Sequence, residues 1–390
     1  MEIRSNLARV KSLKVFLVMG ALSTSFSCLP SYGEDLSDVE VHSFLSQGFI
    51  NTTSNNYLTN SALGSFDFTE AGINFTKQLQ DNLRVGIQLF SERLGPTQNF
   101  GINLDWAYLD YRWSDFLGFR FGKVKIPFGL YNDISDIDAA RAPILLPQSV
   151  YPVQNRNYLL AQTGGEIYGY TGRGSLGALE YRFYGGTISL QVTNTPGSPV
   201  QVQSLDVPYV YGGRVMWETP LEGLRVGGTF QSLILNTTLL VGSTAVTAQI
   251  PALLWVGSVE FNKQDLLVAA ECSRWDLTSQ SSNAALFPTT SSISERAYVM
   301  AAYRVNKWLQ PAAYFSILYP NIDNLAGPEN QANDLSATLR FDVNQYWLIK
   351  VEGHYMRGTA ALDTTLNNNM PLNSLSNNWG AFLVKTTGYF

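Results

Sequence analysis

The chain has 390 residues, of which 15% are charged and 13% aromatic, with 20 Tyr and 21 Phe, and its formal net charge is −5. An acidic balance without a basic face excludes a nucleic-acid partner, and so few charges are too few to clothe an ordinary soluble surface. Mean hydropathy is close to zero. Apolar and polar residues alternate instead of forming long apolar runs, which is how a transmembrane strand escapes a hydropathy scan.

Residues 1–33 read as a secretory signal. Arg4, Arg9, Lys11 and Lys14 precede an apolar core at 15–22, and Ser31 and Gly33 place small residues at both cleavage subsites. A lipoprotein anchor at Cys28 is the competing reading, but Phe26 and Ser27 suit that motif poorly. Cleavage after Gly33 leaves 22 basic against 30 acidic residues, a charge of −8. It also leaves Cys272 as the one cysteine, so no internal disulfide is available; its face, shared with Val268 and Ala270, gives it the role of a small apolar filler.

Residues 34–390 show one rhythm. A first strand at 39–49 is followed by a polar loop through Ser65, and strands then come in pairs joined by tight turns at 79–82, 114–116, 174–177, 218–223, 262–265, 306–307 and 343–346. These turns are rich in Asn, Asp and Gly, which satisfy their own backbone or take positive φ. Seven turns join fourteen strands; the first strand and a last one at 379–390 make sixteen. Longer polar loops are centred near Asn55, Gln98, Leu145, Pro196, Ser243, Ser282, Asn324 and Asn368. Short turns at one end, long loops at the other and an even strand number describe a transmembrane antiparallel β-barrel, with the turns periplasmic and the loops external. A soluble propeller of ~40-residue blades would make its connections comparable in length. Leu83, Val85, Ile87 and Leu89 alternate with Arg84, Gly86 and Gln88, and Leu224, Val226 and Phe230 with Arg225, Gly227 and Gln231. Tyr111, Trp113, Trp217, Phe261, Trp308, Phe341 and Trp347 gather beside the tight turns, as a headgroup-level aromatic girdle would.

The longest insertion follows the strand Leu117-Gly-Phe-Arg-Phe-Gly-Lys-Val-Lys and runs over 126–164, rich in Pro, Asp, Asn and Gln, until a strand resumes near Glu166. A loop of that length needs a function, and the expectation is that it folds into the lumen as a constriction. It carries Asp133, Asp136, Asp138 and Arg141, while Arg84, Arg120, Arg182, Arg214, Arg225, Arg296, Arg304, Arg340 and Lys350 fall on the lumen face of strands. Acids on the loop opposite bases on the wall, Arg84 and Arg120 in particular, would set a transverse field at the narrowest point. The wall acids Asp110, Glu180, Glu260, Glu271 and Glu352 leave the sign of net selectivity open.

The ending Ala381-Phe-Leu-Val-Lys-Thr-Thr-Gly-Tyr-Phe390 resembles the C-terminal signal of Gram-negative outer-membrane barrels, which implies that the barrel assembly machinery reads Phe390. With it, the whole mature chain resembles a sixteen-stranded, usually trimeric porin whose third external loop folds inward. The phrase Phe119-Arg-Phe-Gly-Lys-Val-Lys-Ile-Pro-Phe-Gly-Leu-Tyr-Asn is similar to one in phosphate-selective and dicarboxylate-channel porins, but the loop lacks a run of arginines, so phosphate selectivity is not carried over. The resemblance implies a homotrimer in the outer membrane that passes small hydrophilic solutes or ions by diffusion, without a cofactor.

Other chemistry is weaker. Gly172-Arg-Gly-Ser-Leu-Gly177 matches a nucleotide-binding spacing, but an alternating strand rather than a helix follows it, so it reads as a turn. His42 and His354 are the two histidines; His354 shares a face with Lys350 and Glu352 and reads as a solvated lumen side chain, with no serine motif to make it a hydrolase base. No His or Cys cluster suggests a metal. The competing functional classes are a barrel adhesin, or other surface-binding protein, and a barrel hydrolase.

Overall fold

The computed structural model describes residues 38–95, 99–190, 192 and 200–390, apart from the side chain of Arg173. The expected signal at 1–33 and the expected loop centres Gln98 and Pro196 lie outside the described residues.

Sixteen antiparallel strands form a closed barrel. The first eight are β1 (Val39–Thr52), β2 (Phe68–Gln80), β3 (Leu83–Leu94), β4 (Ile102–Ser114), β5 (Leu117–Lys125), β6 (Ala161–Gly174), β7 (Gly177–Ser189) and β8 (Val200–Glu218). The others are β9 (Leu224–Val241), β10 (Thr244–Lys263), β11 (Leu266–Ser281), β12 (Thr290–Tyr303), β13 (Leu309–Tyr319), β14 (Ala332–Asn344), β15 (Trp347–Gly358) and β16 (Asn378–Tyr389). Each strand pairs with its sequence neighbours, and β16 returns to β1 from Phe44 opposite Tyr389 to Thr52 opposite Ala381. Beyond that ladder Ser43 and Phe390 exchange two backbone hydrogen bonds of 3.0 Å. Closure leaves no strand edge to satisfy, the condition for a sheet that sits in hydrocarbon. No helix among the described residues is long and apolar enough to cross a membrane.

The seven tight connections lie at one end, where sequence reading puts them, and Gly174 to Gly177 is the hairpin between β6 and β7. At the other end two expectations need correction. The connection near Ser243 is not a long loop: β9 and β10 run on for 18 and 20 residues and meet in Gly242 and Ser243, with Gly242 at φ +62°. The Thr and Ser content of that region reads as loop, but β-branched polar residues make good strand, and a two-residue turn with a leading glycine is a favoured hairpin. The long insertion ends earlier than expected, because β6 begins at Ala161 and pairs it with Lys125.

Faces alternate as the period-two pattern requires. On β3, Gly86, Gln88 and Phe90 are buried toward the lumen while Ile87 is exposed outward. Trp113, Trp217, Trp308 and Trp347 are exposed near the tight-turn end, and the Trp308 ring stacks on Phe341 at 6.2 Å. Cys272 also points outward and is exposed, so it does not fill a core as its neighbours suggested. On β5, Gly122 sits at φ +128°, and a Cβ there would lie 2.3 Å from the Ala107 carbonyl oxygen. Only glycine tolerates that combination, and it lies just before the strand gives way to the long loop.

Candidate functional site

The loop at 126–160 crosses the lumen, and its apolar residues explain why it stays there. Its ends are tied by a 2.9 Å hydrogen bond from the Ile126 N–H to the Leu160 carbonyl. Ile126, Phe128, Leu146 and Val150 pack against inward side chains of one wall, among them Met216, Trp275, Tyr298 and Met300. Ile144 and Leu145 pack toward the other side with Ile50, Phe68, Leu94, Met356 and Leu383. Burying a side chain of this size contributes about 1.5–3 kcal/mol, so a loop with an apolar group on each side is held between two walls.

Its charges are held as firmly. Asp133 meets Arg182 at 2.8 Å and Arg214 at 3.1 Å. Asp136 meets Lys125 at 2.7 Å and accepts a 2.6 Å hydrogen bond from Gln88. Asp138 lies among Lys350 at 3.1 Å, Lys385 at 3.5 Å and Arg141 at 3.6 Å, and accepts a 2.8 Å hydrogen bond from Thr387. Burial alone would raise all three carboxyl pKa values, but these cations outweigh it. Asp133 is held below its ordinary value by Arg182 and Arg214, Asp136 is held at about 2 by Lys125 and Arg156, and Asp138 lies further down through Lys350 and Lys385.

The acids are therefore in the lumen, as the sequence suggested, but their partners differ from those expected. Arg84 and Arg120 do not face them: both bind Asp110 at 3.1 Å, and Arg120 also binds Glu166 at 2.9 Å. These carboxylates sit on neighbouring strands with matching inward registry, so the wall neutralises its own arginines. Arg225 pairs with Glu260 at 2.8 Å. Arg304 lies beyond the end of β12 and binds Asp342 at 3.1 Å. Arg296 lies over the Trp275 ring and donates to the Ser149 carbonyl at 3.2 Å, and Arg340 donates to the Ala139 carbonyl at 2.7 Å. Acids and bases touch, so the expected field across an open gap is replaced by ion pairs that fasten the loop.

His354 is likewise not solvated. Its Nδ1 lies 2.9 Å from Asp334 and its Nε2 3.0 Å from Glu352, and its side chain is buried. Glu352 in turn accepts the N–H groups of Ile144 at 2.6 Å and Leu145 at 3.0 Å, a further fastening of the loop.

Sequence reading passed over several groups. Lys385, fully buried, binds both Glu70 at 2.6 Å and Asp138. Its place on the face shared with Leu383 and Thr387 on the final strand was the available signal. Glu271, read from the sequence as a wall acid without a partner, accepts the hydroxyls of Tyr151, Tyr298 and Ser258 and the Leu130 N–H. Arg156 binds Asp105 at 2.8 Å. The apolar run at 142–147 inside a polar loop was the signal that the loop is anchored by packing as well as by charge.

The lumen holds several cavities, one of about 140 Å³ between Gln148, Pro152, Gln154 and Asn155 of the loop and the wall at Arg296 and Leu318. A cavity of about 550 Å³ at the tight-turn end includes Arg84, Asp110, Arg120, Tyr168, Glu180 and Arg182 in its lining. One of about 550 Å³ at the long-loop end includes Glu92, Asn99, Asn103, Asn157, Tyr158 and Asp363. Between the loop and the β2–β3 wall remains a throat of about 50 Å³, which Glu70, Glu92, Asp136, Arg141, Tyr151 and Arg156 help to line.

No family model matches the sequence, and neither does any curated protein. Solved structures do resemble the fold. A loop L8 deletion mutant of OmpT, an outer membrane protein of Vibrio cholerae, superposes with a TM-score of 0.56 at 11% identity, covering 90% of this chain and 99% of that one. An anion-selective porin from Comamonas acidovorans gives 0.54 at 11% identity over 90% and 99% of the two chains. Salmonella typhi OmpF in complex with daunomycin gives 0.54 at 15% identity over 90% and 97%. At such identities the likeness establishes the architecture of outer-membrane barrels.

Proposed function

We propose that the protein is an outer-membrane porin that passes small hydrophilic solutes or ions by passive diffusion. The observation that carries this reading is the closed barrel whose inward loop narrows the lumen to a throat lined by charged groups, with a larger cavity on either side. Such a throat selects by width and charge while solutes move down their gradient. Asp136 and Arg141 line the throat, Asp133 and Asp138 hold the constriction loop in place, and Arg182, Arg214, Arg225, Arg296, Arg340, Lys350 and Glu352 belong to the wall that surrounds or holds it. The chain is exported by its N-terminal signal, is recognised through Phe390 by the assembly machinery, and works as a homotrimer.

The hydrolase reading finds less support. Both ring nitrogens of His354 face carboxylates, so neither is left to take a proton from a serine. The adhesin reading gives no role to a loop fastened inside the lumen. Planar-bilayer recording tests the proposal: the purified protein should give discrete conductance steps, and deleting part of 126–160 should enlarge them. Protein that inserts without conducting would remove the porin reading.

A further inference from the structure

We infer that Glu92 sets the ion preference of the throat by taking a small monovalent cation or a primary ammonium group from the long-loop end. This deepens the diffusion reading and rests on it. Glu92 points inward from β3 between Phe90 and Leu94, and it lines both the long-loop cavity and the throat. It is 8% exposed, yet among the described residues its carboxylate accepts no hydrogen bond and forms no ion pair. The other throat acids are committed, Glu70 to Lys385 at 2.6 Å and Asp136 to Lys125 at 2.7 Å. Arg156, whose charge reaches Glu92, is itself bound to Asp105 at 2.8 Å and stacked over Phe90 at 4.2 Å.

A carboxylate held largely out of water, with a face left open to the cavity and no hydrogen-bonded partner, is costly, and that cost is relieved when a cation arrives. The approach favours one. Asp363 and the amides of Asn99, Asn103, Gln154 and Asn157 line the outer cavity, and no Lys or Arg is among the described residues that do so. The throat's volume of about 50 Å³ has room for one or two waters. A hydrated divalent ion is too large for it, whereas a potassium-sized ion or an ammonium group that sheds water onto Glu92 is not.

The test is the reversal potential across a bilayer under a potassium chloride gradient, in mildly alkaline buffer, for the wild type, Glu92→Gln, Glu92→Asp and Asp363→Asn. The wild type should prefer cations and pass ammonium far better than bulky N-methylglucamine. Glu92→Gln should lose that preference several-fold, Glu92→Asp should keep most of it, and Asp363→Asn, which acts only on the approach, should lose a smaller part than Glu92→Gln does. A conducting wild type that prefers anions, or a Glu92→Gln channel with unchanged preference, overturns the inference and leaves the porin reading standing. A wild type that inserts and does not conduct overturns both. The wild-type measurements need no variant to fold.

Discussion

Replacing Asp138 by Asn should release the loop while leaving the barrel closed. Asp138 is buried with Lys350 and Lys385, whose side chains are fully buried as well. Asparagine keeps the shape and removes the charge, so two ammonium groups lose an anion they cannot exchange for water. Breaking a buried pair from one side costs about 3–5 kcal/mol. Here the lower part of that range applies, because Lys385 retains Glu70 and Lys350 retains the carbonyls of Arg141 and Pro143. About 3 kcal/mol shifts the docked–undocked equilibrium by a factor on the order of 100. The assay is limited trypsin digestion of detergent-folded protein, followed by mass spectrometry. Cleavage after Arg141 and Arg156, slow in the wild type because both lie in the docked loop, should quicken by about that factor, while heat-modifiability on a gel stays intact. The double variant Asp138→Asn/Lys350→Met removes a stranded charge with its partner and should recover much of the protection. Unchanged cleavage in the single variant, or a double variant no better protected, would refute the idea that this pair fastens the loop.

Two further outcomes follow from the same geometry. Asp136 is held at about 2, and Asp133 also lies below its ordinary value; an unfolded Asp titrates at about 3.9. Folded values below unfolded ones mean that their stabilisation is complete above about pH 4 and is lost as pH falls toward about 2. Hydrogen exchange of amides at 126–160 should therefore stay slow through mild acid and quicken only in that window, and loosening in mild acid would place these carboxylates outside their ion pairs. Deleting Phe390 removes the two backbone bonds to Ser43 at the barrel seam and the aromatic end of the chain. Folded protein in the membrane fraction should fall sharply, and a normal yield would show that the last residue carries no assembly signal.

The strands were legible because a barrel imposes period two on every one of them, as Leu83 to Leu89 and Leu224 to Phe230 show. The loop was legible by its length. Its partners were not, because Asp138 and Lys350 stand 212 residues apart and nothing local in either segment encodes the other. The same holds for Arg84 and Arg120: their inward direction follows from alternation, but the choice between a loop acid and Asp110 on the wall depends on registry. The turn at Gly242 was misread because Thr and Ser serve both in loops and on polar strand faces.

The position of the Asp138 partners bears on the order of folding. Thr387 and Lys385 belong to the final strand, the one that seals the barrel against β1, and Thr387 is 249 residues downstream of Asp138. Until that strand pairs, Asp138 lacks Lys385 and Thr387, and β1 and β15 stand as open edges. Sealing the wall and completing the surroundings of Asp138 are consequently one step. A chain stalled before that step carries two unpaired strand edges and an incompletely fastened loop, so it is prone to aggregate through those edges.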